Sequence, residues 1–314
     1  MYKRLLVPLD GSQLAESILP VAVCLARSLN AMVTLVHIIE RNAPLEIHGE
    51  EHLHDVSSAE AYLGRVAEQW FTGVTAVETH VHSEEVANVA RSILQHVTET
   101  DSDLTLMCTH GHSGARQFLY GSIAQQIAAA AVPVLFVRTD SGGGQTEFTL
   151  HRFLVPLDGD PEHEQGLAVA AELARACGAA IHLLTVVPSI NLVSGSWTQS
   201  VRLLPSTTDR MLRMEAGEAE EYLQGHQRKL ETMSLAVTTE VLRGDPADEI
   251  VKASRAPETD LVVLGSHGTV GTKAFWSGSV TAKVARRTVA PVLLIPAVVS
   301  TEKLEEDREV PPGP

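Results

Sequence analysis

The chain has 314 residues, 44% hydrophobic and 20% charged, which is the balance of a globular protein and a length that suits two domains. Acidic residues number 39 against 24 basic ones, and the formal net charge of −15 disfavours a nucleic-acid partner because such a surface repels phosphate backbones. No apolar run is long enough to span a membrane, and the N-terminus reads as a strand rather than a signal sequence. We therefore expect a cytoplasmic protein with no membrane partner.

An internal repeat organises the whole chain. KRLLVPLDGS at 3–12 recurs as HRFLVPLDGD at 151–160, and LARSLNA at 25–31 recurs as LARACGA at 173–179. The period of about 150 residues is the size of a domain and far exceeds the roughly 20–50 residues of a solenoid unit. We interpret the chain as two copies of one domain, called the first copy and the second copy below.

Strands and helices are predicted to alternate in both copies. The first copy has predicted strands at 5–9, 31–39, 74–81, 104–108 and 133–137, and helices at 13–29, 57–71, 84–99 and 122–131. The second has strands at 153–157, 180–187, 235–242, 261–265 and 291–295, and helices at 162–176, 207–233, 246–255 and 279–289. Residues 40–56 and 188–206 are interpreted as variable loops. This alternation of apolar runs with amphipathic segments predicts a parallel sheet with helices on both faces.

A glycine loop is the strongest functional motif. The second copy has Gly265 and Gly268, then nine residues, then Gly278 and Ser279, between a buried strand and an amphipathic helix. Glycines let backbone amides approach a ligand closely, and the serine can cap a helix whose N-terminus favours an anion. Such loops lie at the carboxyl ends of parallel strands, where ligands normally bind.

An aspartate follows the first strand of each copy, Asp10 in one and Asp158 in the other. In a parallel sheet these residues lie at the same edge as the glycine loop. A carboxylate there can accept hydrogen bonds from ribose hydroxyls or assist a metal ion. The alternative is that the aspartate and the glycine after it open a turn before the next helix.

The order of LVPLDG, LLTVV, DPADEIV, DLVVLGSHG and APVLLIP resembles the universal stress protein family. The spacing G-x2-G-x9-G-[S/T] in the second copy is that family's ATP-binding signature. The resemblance implies two tandem Rossmann-like domains of the adenine nucleotide alpha hydrolase-like α/β fold, each a five-stranded parallel sheet of order 3-2-1-4-5 with helices on both faces. The domains are predicted at 1–138 and 151–297, with a linker at 139–150 and a flexible tail at 298–314.

The resemblance also implies that ATP, with or without Mg²⁺, lies across the first and fourth strands of a copy. In the second copy the positions carried over are Asp158 and Val186 for adenosine, and Gly265, Gly268, Gly278, Ser279 and Val280 for ribose and phosphates. The matching residues of the first copy are Asp10, Ile38, Gly111, Gly121 and Ser122. There Cys108 replaces the first glycine, so a side chain stands where the family has bare backbone. We therefore predict that ATP binds in the second copy in preference to the first.

Other histidines and cysteines are weaker candidates for a functional role. His48, His52 and His54 lie close in the sequence, but a solvated acidic loop is favoured over a metal site there. His110 and His267 occupy matching places in the glycine loops, where a structural or ligand-contact role is favoured over general-base catalysis. Cys24 and Cys177 are interpreted as small buried residues.

The leading hypothesis is a tandem universal stress protein that binds ATP and acts as a stress-response regulatory module. The alternative is an association scaffold that binds no nucleotide. A slow ATPase or an adenylating enzyme of the same fold group has less support, because no dedicated catalytic constellation is seen. We also expect the two halves to form an intrachain pseudo-dimer through their final strands, at 133–137 and 291–295, because pairing removes an exposed apolar edge. Further homo-oligomerisation and any protein partner stay open.

Overall fold

The computed structural model describes residues 2–44, 46–47, 50–74, 76–110, 122–130, 132–139, 148–161, 164–187, 189, 205–266 and 280–296. The strands are β1 Arg4–Pro8, β2 Met32–Glu40, β3 Glu46–Ile47, β4 Glu50–Glu51, β5 Val77–Val86, β6 Leu104–His110, β7 Val134–Thr139, β8 Arg152–Pro156, β9 Ala180–Val187, β10 Val237–Arg243, β11 Leu261–Ser266 and β12 Val292–Pro296. The helices are α1 Gln13–Glu16, α2 Leu19–Leu29, α3 Val56–Trp70, α4 Val89–Glu99, α5 Ser122–Ala128, α6 Gln165–Cys177, α7 Pro205–Glu231, α8 Pro246–Ala253 and α9 Val280–Arg287. None of the helices in the described residues combines the length and the hydrophobicity of a membrane span.

Ten strands form one continuous sheet in the order β10-β9-β8-β11-β12-β7-β6-β1-β2-β5. Within each copy the neighbouring strands are parallel, and their order along the sheet is 3-2-1-4-5. The predicted fold class and strand order are therefore confirmed. Parallel neighbours bring the carboxyl ends of β1, β2 and β6 to one edge of the first copy, and those of β8, β9 and β11 to one edge of the second.

The two copies join through their last strands, as the sequence predicted. β12 pairs with β7 in the antiparallel direction, and Leu293 stands opposite Leu135. On either side of this pair, Val292 faces Phe136 and Leu294 faces Val134. Leu135 and Leu293 occupy equivalent positions of the two copies and pair with each other, and the pairs on either side are related by exchanging the strands. A pseudo-two-fold axis therefore passes through the Leu135–Leu293 pair. The chain is therefore an intrachain pseudo-dimer.

Aliphatic side chains form a core on each face of the sheet, and each core runs through both copies. On one face, α2, α3, α6 and α7 cover residues such as Val7, Leu35, Leu135, Val155 and Leu293. On the other face, α4, α5, α8 and α9 cover residues such as Val36, Val134, Leu154, Val262 and Leu294. Cys24 and Cys177 pack at the margin of the first core and are half-buried rather than fully buried. Burial raises the pKa of both thiols, that of Cys177 to about 11.

Two predicted helices differ from the structure. The helix predicted at 13–29 is divided into α1 and α2, and Pro20 lies in the first turn of α2, where its missing amide hydrogen costs no helical bond. The helix predicted from residue 84 begins only at Val89, because β5 continues to Val86 and pairs there with Glu40. Asn88 then caps α4 by accepting from the amide of Arg91 at 3.0 Å.

The predicted loop and linker regions carry additional structure. Residues 40–56 contain the short hairpin β3–β4 and end where Asp55 caps α3 by accepting from the amide of Ser58 at 2.9 Å. Residues 148–150, the end of the predicted linker, pack against the core, and Leu150 is buried. The rest of the linker from residue 140 and the predicted tail at 298–314 lie outside the described residues.

The Leu135–Leu293 pair gives a direct test of the junction between the copies. Both side chains are fully buried, so replacing either with alanine should lower the free energy of unfolding by about 2–5 kcal/mol. Since the two residues are direct cross-strand neighbours, the double variant should deviate from additivity by at least about 0.5 kcal/mol. Denaturant unfolding of the four proteins measures this coupling.

Leu63→Ala provides the matched control, because Leu63 is equally buried but lies in α3 at the far side of the first copy. Combined with Leu293→Ala, it should be additive to within about 0.5 kcal/mol. If the Leu63–Leu293 double variant deviated from additivity as much as the Leu135–Leu293 double variant, the deviation would not be specific to the β7–β12 junction.

Candidate functional site

A cavity of about 250 Å³ lies at the carboxyl ends of β1, β2 and β6 in the first copy. Three residues predicted for the nucleotide site line it: Asp10 after β1, Ile38 on β2 and Ser122 at the start of α5. Gly111 and Gly121 lie outside the described residues. The structure therefore brings together the described members of the predicted first-copy set. The remaining lining includes Val36, His37, Glu40, His52, Val89, Ile93, Met107 and Cys108.

In the second copy the described residues of the predicted site lie on the equivalent strands and helix. Asp158 follows β8, Val186 lies on β9, Gly265 lies near the end of β11, and Val280 begins α9. β11 pairs with β8, and β8 with β9, as β6, β1 and β2 do in the first copy. Gly268, Gly278 and Ser279 lie outside the described residues.

Both aspartates take part in a tight turn. Oδ1 of Asp10 accepts from the amide of Ser12 at 2.9 Å and from its hydroxyl at 2.6 Å, and Oδ1 of Asp158 accepts from the amide of Asp160 at 3.1 Å. The glycine that follows each aspartate has a positive φ, +94° at Gly11 and +85° at Gly159, which favours glycine. The turn-opening interpretation thus holds in both copies. In Asp10 the hydrogen bonds to the described residues use Oδ1, which leaves Oδ2 for a ligand.

A side chain on the second strand ties it to the end of the first strand in each copy. In the first copy the buried His37 donates from Nδ1 to the carbonyl oxygen of Leu9 at 2.8 Å. At the equivalent position of the second copy, the hydroxyl of Thr185 donates to the carbonyl of Leu157 at 2.9 Å. Different residue types therefore hold the same edge in place, which sequence comparison of the copies does not reveal.

The cysteine and glycine at the end of the fourth strand have different neighbours. The thiol of Cys108 donates to the carbonyl of Ala15 in α1 at 3.6 Å, so it is engaged with a helix even though it also borders the cavity. Burial raises the pKa of this thiol, and the nearby charge of Asp10 raises it further. The thiol is therefore held in its protonated form.

Gly265 is constrained by helices on both sides. A Cβ added at Gly166, in the first turn of α6, would lie 3.1 Å from the amide nitrogen of Gly265, so helix and strand backbones approach closely there. On the other side the hydroxyl of Thr281 donates to the Gly265 carbonyl at 3.1 Å. The counterpart of Gly166 in the first copy is Ile18, which is fully buried. An isolated glycine near the start of a helical pattern was the signal that could have identified this contact.

His52 corrects the expectation of a solvated acidic loop. It is only 4% exposed, borders the cavity, and has no partner for Nδ1 in the part of the chain that the structure describes. Burial lowers the pKa of His52, and the charges of His54 and His37 lower it further, which favours the neutral ring. Leu53 packs over Gly11, so this segment folds onto the turn that carries Asp10. His54 is exposed, and His48 lies outside the described residues.

His110 and His267 are the two histidines of the glycine segments. His110 is the last residue of β6 and pairs with Thr139. His267 lies outside the described residues. The structural or ligand-contact role of these two residues stays a prediction.

A family model and curated relatives identify the family of this chain. A model of the universal stress protein family matches residues 1–138 and again 149–296. A curated universal stress protein of Mycolicibacterium smegmatis is 24% identical over 311 residues, covering 93% of this chain and 96% of that protein. One from Methanocaldococcus jannaschii is 28% identical over 148 residues, covering 46% of this chain and 81% of its own length.

A solved structure extends the likeness to the whole fold. The crystal structure of a universal stress protein from Archaeoglobus fulgidus matches with a TM-score of 0.61 at 18% identity, covering 94% of this chain and 96% of that one. This likeness concerns the architecture of both copies together. With the repeated match of the family model, it leads to one conclusion: the chain belongs to the universal stress protein family and has the tandem, two-copy form.

Proposed function

We propose that the chain binds an adenine nucleotide at the carboxyl edge of its sheet and acts as a stress-response regulatory protein, with ATP held most tightly in the second copy. The observation that carries this proposal is the first-copy cavity, because Asp10, Ile38 and Ser122 meet there as the ATP-site pattern requires. The second copy repeats the same strand ends and adds the complete glycine spacing. The regulatory role follows from membership in the family.

The described part of the cavity suits a nucleoside. Its floor is apolar, with Val36, Ile38, Ile93 and Met107 among the lining residues, and a purine ring can pack against such a surface. Oδ2 of Asp10 accepts no hydrogen bond from the described residues and can accept one from a ribose hydroxyl. At about 250 Å³ the cavity is at or just below the lower end of small-molecule sites, which are roughly 300–1,000 Å³. It therefore accommodates the adenosine portion rather than the whole of ATP.

Electrostatics direct the phosphates away from this floor. Asp10 and Glu40 both border the cavity, and their negative charges repel a triphosphate placed between them. The glycine segments that follow β6 and β11 are where the family pattern places the phosphates. In the second copy that segment leads into α9, an eight-residue helix whose first amides lack intrahelical partners. α5 offers the same kind of helix start in the first copy, so it is the complete glycine spacing that supports the second copy as the tighter ATP site.

The described groups around the cavity favour binding over covalent chemistry. Cys108 is held as a thiol, which is a poor nucleophile compared with a thiolate. His37 uses Nδ1 to hold Leu9 and has the carbonyl of Leu53 3.4 Å from Nε2, so both ring nitrogens face backbone. We therefore propose a nucleotide-dependent switch, with any hydrolysis slow.

Replacing Gly278 with valine should abolish high-affinity ATP binding, because a branched side chain blocks the approach of the backbone to the phosphates. Isothermal titration calorimetry of the full chain measures the change, with an expected loss of affinity of at least about tenfold. Gly121→Val, at the equivalent position of the first copy, is the matched control and should change the total binding much less. Equal losses in the two variants would contradict the preference for the second copy. No nucleotide binding by the unmodified chain would favour an association scaffold.

Cys108→Gly should improve nucleotide binding in the first copy, since it removes the side chain that stands where the family has bare backbone. The change also removes the contact of the thiol with Ala15, and glycine should cost stability by about 1 kcal/mol. The measurement is ATP stoichiometry by calorimetry in a Gly278→Val background, where the second copy is silenced. Cys108→Ala is the control, because it removes the sulfur but keeps Cβ. If Cys108→Gly gains no binding over this control, another difference between the copies disables the first site.

A further inference from the structure

Three histidines converge at the outer edge of the first copy, away from the cavity. His80 and His82 are two residues apart on β5, so they project from the same face of that edge strand, and His96 lies on α4, which packs on that face. The three potential ligand atoms, one from each ring, all lie within 4.8 Å of one another. The ring centroid of His96 is 4.8 Å from that of His80 and 5.1 Å from that of His82.

His96 is oriented as a ligand. Its Nδ1 lies 2.8 Å from the carbonyl oxygen of Ser92, and since a carbonyl can only accept, Nδ1 carries the hydrogen. Nε2 then presents a lone pair. The side chain is 1% exposed, and its buried Nε2 has no hydrogen-bond partner among the described residues. A buried polar atom left unpaired is costly, and a metal ion would satisfy it. The Nδ1–H bond to a backbone carbonyl is the arrangement that typically orients a metal-bound histidine.

The electrostatic surroundings agree with this geometry. Oε2 of Glu99 lies 3.9 Å from Nε2 of His96, and Glu99 is 51% exposed. This carboxylate is within reach as a fourth ligand and would offset part of the charge of a divalent cation.

We propose that His80, His82 and His96 form a binding site for a divalent transition-metal ion of the zinc type, with Glu99 or water in the fourth position. Imidazole nitrogen is a preferred ligand for Zn²⁺, at about 2.0–2.1 Å in a tetrahedral site. Ligand nitrogens in such a site are about 3.3 Å apart, so the widest pair here must close by at most roughly 1.5 Å. His80 is exposed and His82 half-buried, so rotation of their rings can supply this movement.

The second copy provides an internal comparison. The strand registers place Glu240 and Leu242 at the positions of His80 and His82. Counted from the caps Asn88 and Asp245, the position of His96 is Ala253. None of the three histidines is repeated, so the proposed site belongs to the first copy. The second copy instead has His182 on β9, next to the edge strand β10, and its Nδ1 lies 2.8 Å from the hydroxyl of Thr238 and its Nε2 3.2 Å from Oε2 of Glu240.

Calorimetric titration of the metal-free, tag-free full chain with ZnCl₂ tests the proposal. We expect one high-affinity Zn²⁺ per chain and a Co²⁺ adduct with the visible absorption of tetrahedral coordination. Zn²⁺ should also raise the thermal midpoint of unfolding. His80→Gln and His82→Gln should each weaken Zn²⁺ binding, and the double variant should lose at least about tenfold in affinity.

His182→Gln is the control, since it removes a histidine of the second copy, on β9 beside the edge strand β10, whose ring nitrogens are already paired, and it should leave Zn²⁺ affinity unchanged. Circular dichroism verifies that each variant is folded. If a glutamine variant does not fold, the asparagine variants His80→Asn and His82→Asn take its place. Two results would overturn the proposal. One is an unmodified chain that shows no saturable Zn²⁺ uptake, and the other is a folded double variant that loses less than tenfold in affinity.

Discussion

The antiparallel pairing of β7 with β12 is the interaction on which the architecture depends. An apolar final strand with one open edge invites association, and here that edge is closed within the chain. Because the pairing is centred on Leu135 and Leu293, it joins two five-stranded sheets into one ten-stranded sheet. The helices on each face then share a core that continues across the junction. Neither copy has to be stable as an isolated unit.

The two copies share one backbone fold but differ in the side chains at equivalent positions. His37 and Thr185 make the same link between the second strand and the end of the first. At the end of the fourth strand, however, Cys108 contacts a helix carbonyl, whereas Gly265 allows α6 to approach its backbone directly. The residue at the end of the fourth strand therefore differs between the copies together with the packing of the adjacent helix, α1 beside Cys108 and α6 beside Gly265. The glycine of the second copy serves helix packing as well as any ligand.

The fold was predictable because its signals are local or repeated. Continuous apolar runs located the ten strands of the main sheet, and the repeat revealed the duplication. The boundaries that failed depend on tertiary context. β5 continues through polar residues to Val86 because an edge strand tolerates them on its exposed side. The break before α2 places Pro20 where its missing amide hydrogen is harmless, and the wider helical pattern concealed it.

The site was predictable only in part, for a similar reason. Asp10, Ile38 and Ser122 follow from the family pattern and meet at one cavity. The burial of His52 depends on Leu53 folding over the turn at Gly11, a contact between segments some 40 residues apart. His96 is separated from His80 and His82 by the start of a helix, so only the register of β5 and the rotation of α4 reveal that the three rings meet. Closeness in the sequence indicates only the group His48, His52 and His54 as a candidate cluster.

The pseudo-two-fold axis through Leu135 and Leu293 has an evolutionary consequence. In a dimer of identical subunits, every substitution appears twice and must be compatible with its own image across the axis. Duplication within one polypeptide removes that restriction, since each position of the pair can mutate alone. The differences between Cys108 and Gly265, and between His96 and Ala253, are asymmetries that a homodimer cannot acquire. Covalent fusion thus lets one half retain an ancestral site while the other is free to specialise.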